Sequence, residues 1–303
     1  MKKTFALLAA GLLTLGACSN DEAALTDSTA AADPGESGFA VDGIAADSAV
    51  AALVPADITA RGQLRNGAST DYAPAEYRKA DGQTPTGYDI DLTRAIAKKM
   101  GLKDGTTTHV EFDSLLPQIG TKFDVGLSTF TVTPEREEAF NMITYFEAGS
   151  EYGVPAKSSD FTPDNPCGFT IGVQTGSSQE DALKEATAAC EAKGAKPIKI
   201  MSLPDVPQIV TRVVSGQYDA IFADSPVLGY AVARSNGQLK TTGDIYDSAP
   251  VAIAVAKDNP ELAKAVQAAL QSLMDSGELK EIFAHYGITE GVLSTAEINP
   301  QVQ

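Results

Sequence analysis

Histidine is nearly absent from these 303 residues. Only His109 and His285 occur, so a histidine-based catalytic triad or metal centre has little to draw on. Cysteine is also scarce, at three residues. Basic residues number 23 against 40 acidic ones, a formal net charge of −17. Without Lys2 and Lys3 that balance is near −19, which argues against nucleic acid or an anionic membrane surface as the direct ligand. No Walker motif is present, so the energy for any transport must come from a separate subunit. The chain has one long apolar run, Phe5 to Leu15, and it is too short to span a bilayer.

That run follows Lys2-Lys3 and closes on Leu15-Gly-Ala-Cys18, which reads as an export signal over residues 1–17 with a bacterial lipobox. Cys18 would become the lipidated N-terminus, held at the outer face of the cytoplasmic membrane. Between Cys18 and Ala60 there are eight acidic residues and no Lys or Arg. Residues 18–54 are therefore expected to be an acidic tether, with a short helix over Ile44 to Leu53. Export also bears on Cys167 and Cys190, an even pair in an oxidising compartment. They read as a disulfide, the alternative being two free buried thiols.

The most informative stretch is Asp124 to Arg136, DVGLSTFTVTPER. A short buried strand ends in the hydroxyls Ser128, Thr129 and Thr131, and a helix starts at once. Thr133 suits its N-cap, Pro134 its first position and Glu135 its first turn. Arg136 then lies beside unpaired backbone N–H groups, an arrangement fit to cradle a carboxylate. Gln217 to Pro226, QYDAIFADSP, has the same form, and Val206-Pro-Gln-Ile209 precedes it as Leu116-Pro-Gln-Ile119 precedes the first. Two such units predict two α/β lobes of related build. The second ends in Asp224 where the first ends in hydroxyls, so a cation and an anion would face each other across a cleft and bind a zwitterion.

Strands and helices alternate from Gln63 onward. Strands are predicted over Leu64 to Ser69, His109 to Phe112 and Thr170 to Val173. Tyr88 opens a helix closed by Gly101, Asp113 is expected to cap a helix over Ser114 to Ile119, and Ser177 with Glu180 forms a capping box over Ser178 to Lys193. Leu262, Val266, Leu270 and Leu273 make an apolar stripe on a helix ended by Gly277. Such alternation predicts mostly parallel sheets flanked by helices, with ligand at the carboxyl ends of the strands.

The chain resembles the amino-acid-binding (family 3) solute-binding proteins of ABC transporters over about Ile58 to Gly287. The motifs that carry the likeness are Gly87 to Leu92, Phe112 to Pro117, Ser128 to Arg136, Gly172 to Gln179 and Asp219 to Asp224. The resemblance implies the two-lobed periplasmic-binding-protein fold, α/β, with one lobe discontinuous (55–152 and 249–303) and the other over 153–248. Strands would cross near Glu151 to Pro155 and near Ser248 to Ala252. It implies a monomer without cofactor that hands an amino acid to ABC permease subunits with a separate ATPase. Arg136 would take the α-carboxylate with Thr131, the backbone at Ser128 and Thr129, and Ser178 from the second lobe. Asp224 would take the α-ammonium, and Tyr72 and Phe112 would flank the ligand side chain.

Three departures bear on the ligand. The family's usual aromatic is Ala75 here, Ser69 stands where many binders of cationic amino acids carry Asp, and Gln174 and Thr175 line the second lobe. These favour a neutral polar amino acid such as glutamine, unless Glu76 or Asp71 supplies a negative charge. A cyclohexadienyl dehydratase-like enzyme and a sensor module are the rival readings on the same fold.

Overall fold

A computed structural model describes residues 33–157 and 160–302. The signal, the lipobox and Cys18 lie outside the described residues. Ten strands are present among those described: β1 (Gln63–Ala68), β2 (Tyr77–Arg78), β3 (Pro85–Thr86), β4 (Asp104–His109), β5 (Val125–Thr131), β6 (Phe140–Pro155), β7 (Thr170–Gln174), β8 (Lys199–Leu203), β9 (Ala220–Asp224) and β10 (Leu239–Ala256). Eight of them join in the order β4-β1-β5-β10-β6-β9-β7-β8. β4, β1 and β5 are parallel, as are β8, β7 and β9. Between these two trios run the long antiparallel strands β6 and β10, which belong to both ends of the sheet. The result is a mixed α/β fold of two lobes, and the irregular register between Tyr246 and Ala249 marks where β10 passes from one to the other.

The predicted helices form where caps and stripes placed them. Tyr88–Lys99 ends before Gly101 at φ 69°, and Pro260–Asp275 buries Leu262, Val266, Leu270 and Leu273. Ser177 caps Ser178–Ala192, but the Glu180 carboxylate turns to the Gly176 N–H at 2.7 Å. Two expectations fail locally. Asp113 caps no α-helix, because Phe112–Ser114 and Leu116–Gln118 are separate 3₁₀ turns with Pro117 interrupting the N–H ladder. The strand expected at His109 to Phe112 is Asp104–His109 instead, a polar edge strand with no apolar run to announce it.

The acidic tether expected over 18–54 is also corrected in its second half. Residues 33–54 fold onto the body, with Ile44, Val50 and Val54 buried in its core. Their acids act as local caps: Asp33 for Pro34–Ser37 and Asp47 for Ser48–Ala51, with Asp47 also accepting from Ser272 at 3.0 Å. Composition reads such residues as solvated charge, whereas each finds a backbone N–H to satisfy. Cys167 and Cys190 form a disulfide, with Cα atoms 5.6 Å apart, that ties the approach to β7 to the last turn of Ser178–Ala192.

Candidate ligand-binding site

The carboxyl end of β5 builds the first wall. Thr133 accepts the Arg136 N–H at 3.2 Å and so starts the helix Pro134–Ala139. The Arg136 guanidinium donates to the Thr131 carbonyl at 2.9 Å and, across the lobes, to the Gly176 carbonyl at 3.3 Å. It lies 5.7 Å from the Phe112 ring and 5.4 Å from the Phe130 ring, a cation–π seat that fixes the fork. Phe112 itself packs on Phe130 with centroids 4.9 Å apart. Thr129 holds a left-handed φ of 50°, a conformation unusual for a β-branched residue. That turn aims its N–H at Asp89 Oδ2, 3.0 Å away.

The opposing wall comes from the second lobe. Asp224 ends β9, and its buried carboxylate accepts from Gln179 Nε2 at 2.7 Å and from the Tyr72 hydroxyl of the first lobe at 2.9 Å. The Asp224 N–H returns a bond to the Tyr72 oxygen at 3.1 Å. Gln179 also donates to Ser150 on β6. Ser178 Oγ meets Thr131 Oγ1 at 3.1 Å, another contact between lobes. Burial pushes the Asp224 carboxyl up to about 6, against the lowering effect of Tyr72, Gln179 and the Arg136 charge. The structure thus brings together Tyr72, Phe112, Ser128, Thr129, Thr131, Arg136, Ser178 and Asp224. The Gln174 amide reaches the Pro204 carbonyl, and the Thr175 N–H bonds to the Leu203 carbonyl on β8.

A cluster of acids lies beside this cleft. Glu76 is fully buried and accepts from Ser128 Oγ at 2.7 Å and Thr129 Oγ1 at 3.2 Å. Burial, then the neighbouring Asp89 charge, pushes its carboxyl well above the ordinary value. Asp89 is raised to about 6 by burial, although Tyr145 and Thr129 hydrogen bonds pull it down. Asp71 is likewise raised to about 6 by burial, and Ser69 Oγ donates to it at 3.0 Å. Sequence reasoning missed Gln179 and Asp89. Both are the second residue of the helix that follows the first strand of their trio, a shared position that was visible once the two units were set side by side.

Residues 64–289 match the bacterial extracellular solute-binding proteins, family 3. The chain belongs to that family. It is 38% identical over 256 residues to the arginine-binding protein ArgT of Corynebacterium glutamicum, covering 83% of each chain. Among solved structures it is similar to a mutant of ArgBP from T. maritima, with a TM-score of 0.69 and 28% identity over 76% of this chain and 97% of that one. It is also similar to the ancestral amino acid-binding protein AncCDT-1, a precursor of cyclohexadienyl dehydratase, with a TM-score of 0.68 and 29% identity over 76% of this chain and 97% of that one. The named relatives are binding proteins rather than enzymes, and this chain is an extracytoplasmic amino-acid-binding protein of a family that works with ABC transporters. No helix among the described residues is long and apolar enough to cross a membrane.

Proposed function

We propose that this protein captures a cationic L-amino acid, arginine or one like it, and delivers it to an ABC permease driven by a separate ATPase. The observation that carries the side-chain preference is the acid cluster. Glu76 and Asp89 are fully buried, Asp71 stands close by, and none of the three has an ion-paired Lys or Arg among the described residues apart from the more distant influence of Arg78 on Asp71. Buried carboxylates without a counter-charge are costly, and a guanidinium would relieve them. The sequence favoured a neutral polar ligand because Ser69 replaces an acid; here the Ser69 hydroxyl holds Asp71, which restores negative charge to that corner. The arginine-binding relative at 38% identity supports the same choice.

In this reading Arg136 forks the ligand α-carboxylate, helped by Thr131, Ser178 and the backbone at Ser128 and Thr129. Asp224, positioned by Tyr72 and Gln179, takes the α-ammonium. We take 55–152 with 249–303 as one lobe and 153–248 as the other, closing about the ligand through β6 and β10. Lipidation at Cys18 would hold a monomeric receptor beside its permease. Calorimetry with arginine, lysine and glutamine, run side by side at neutral pH, tests the proposal. Arginine is expected to bind tightest. A response to glutamine with none to arginine would restore the neutral-ligand reading, and silence from all three would overturn the assignment of the cleft.

A further inference from the structure

The N-terminal arm, residues 33–39, lies almost entirely against the first lobe. The Thr86 hydroxyl donates to the Gly35 carbonyl at 2.6 Å, the Ala80 N–H to Glu36 at 2.7 Å, and the Phe39 N–H to Asp91 at 2.7 Å. Lys79 Nζ reaches the Glu36 carbonyl at 2.9 Å, and His285 Nε2 lies 3.0 Å from the Pro34 carbonyl. One side chain leaves this pattern. Asp33 accepts from the Tyr77 hydroxyl of the first lobe at 2.5 Å through one oxygen, and through the other from the Tyr230 hydroxyl on the second-lobe helix Ser225–Arg234 at 2.7 Å. Arg234 on that helix adds an ion pair at 3.3 Å, and the Tyr77 and Tyr230 rings stand 5.7 Å apart. Partial burial raises the Asp33 carboxyl, but the bonds from Tyr77, Tyr230 and Gly35 and the charge of Arg234 outweigh it, so its value is lowered and it is ionised at neutral pH.

We infer that Asp33 is a positioning residue for ligand capture: it latches the second lobe to an arm anchored on the first, and so stabilises the closed cleft without touching ligand. The argument is geometric. Helix Ser225–Arg234 begins directly after Asp224, the ammonium-binding candidate, and is a rigid rod of ten residues. Any hinge motion that withdraws Asp224 from Tyr72 moves the same helix, and Tyr230 and Arg234 with it, away from an arm that stays with Tyr77 and Thr86. Asp33 therefore keeps its second-lobe partners only when the cleft is shut. A contact made in the closed state alone shifts the open–closed balance by its own differential free energy. Charge-assisted bonds of this kind are at the strong end of the range. The latch is also the point where the chain that leads back to the N-terminus joins the body.

The inference rests on the clamp mechanism proposed above but not on which amino acid is bound. Asp33→Asn suits the test because Asn still caps the helix Pro34–Ser37. Tyr230→Phe removes the partner on the opposite lobe, and Glu36→Gln loosens the arm on its first-lobe side only. Two readouts are needed: the interlobe distance distribution from spin labels on exposed sites of the two lobes without ligand, and stopped-flow binding of arginine. Asp33→Asn and Tyr230→Phe should each shift the distances towards an open form and speed arginine dissociation by about tenfold, with the association rate nearly unchanged. The double variant should show no more than either single one, and Glu36→Gln should match the parent. Unchanged distances in both single variants would overturn the latch. Fully additive effects would also overturn it, because the two groups would then act separately. If the distances shift while the parent fails to bind arginine, the latch stands and the ligand assignment falls.

Discussion

The two lobes are built on one plan and finished differently. In the first, Asp124 donates its N–H to the Arg65 carbonyl and accepts the Arg65 N–H at 2.8 Å, while the Phe123 ring covers Gly67. In the second, Asp219 does the same to Thr170, at 2.7 Å through its side chain, while Tyr218 covers Gly172. An added Cβ at Gly67 would come within 2.6 Å of the Phe123 ring, and one at Gly172 within 2.3 Å of Ile209. In both lobes an aspartate locks the neighbouring parallel strand, and the strand it opens ends in the site. Asp89 steadies Thr129 in one lobe as Gln179 steadies Asp224 in the other. The difference lies in charge. The first lobe gathers the buried acids Glu76 and Asp89 against Ser128 and Thr129, and the second contributes an acid held by an amide and a phenol. A shared scaffold thus fixes where the site is, and the residues at the strand ends decide what each wall recognises.

Breaking the two walls separately should give the largest effect. Arg136→Ala leaves a ligand carboxylate desolvated and unpaired, and should cost on the order of 2–5 kcal/mol of affinity by calorimetry. Asp224→Asn should also cost heavily. Neither should change the unfolding midpoint much, since each acts at the cleft. An affinity within threefold of the parent for Arg136→Ala would remove that wall from the site.

Among the described residues the second lobe alone carries a disulfide. Replacing Cys167 and Cys190 together by Ser opens a loop with a sequence separation of 23 and should lower stability by about 3 kcal/mol in urea titrations. Binding by the folded fraction should survive, because the bond lies behind β7 rather than in the cleft.

The matched aspartates sharpen the comparison further. Asp124 is buried and paired with Arg61 and Arg65, whereas Asp219 holds only a backbone N–H near the surface. Asp124→Ala should therefore cost about 2–3 kcal/mol and Asp219→Ala about 1 kcal/mol or less. Equal costs would mean that the arginines add nothing to the shared lock.

The last effect concerns pH. Asp71, Asp89 and Asp224 are each raised by burial to about 6 from an ordinary value of 3.8. Their protonated forms favour the folded, ligand-free protein, so their stabilising contribution is complete below about pH 4 and is lost as pH rises through 6. A cationic ligand reverses the preference, because it binds the ionised forms. Arginine affinity should fall by up to about tenfold per participating carboxyl between pH 7 and pH 5. A flat profile over that range would show that these acids do not face the ligand.

The sequence by itself determined the local elements and the type of head-group chemistry. Thr133-Pro134 and Ser177 are helix starts wherever they are placed, because capping is satisfied within a few residues. The paired units foretold two related lobes for the same reason, and both signals survive into the structure. Tertiary structure decided what depends on distant parts of the chain. That Glu76 would be buried against Asp89, and that Gln179 would orient Asp224, follow from how loops pack over strand ends. It also decided that acids 33 and 47 would be fastened to the body rather than solvated. A carboxylate's role is set by what desolvates it and which donors reach it, and both arrive from residues tens to hundreds of positions away.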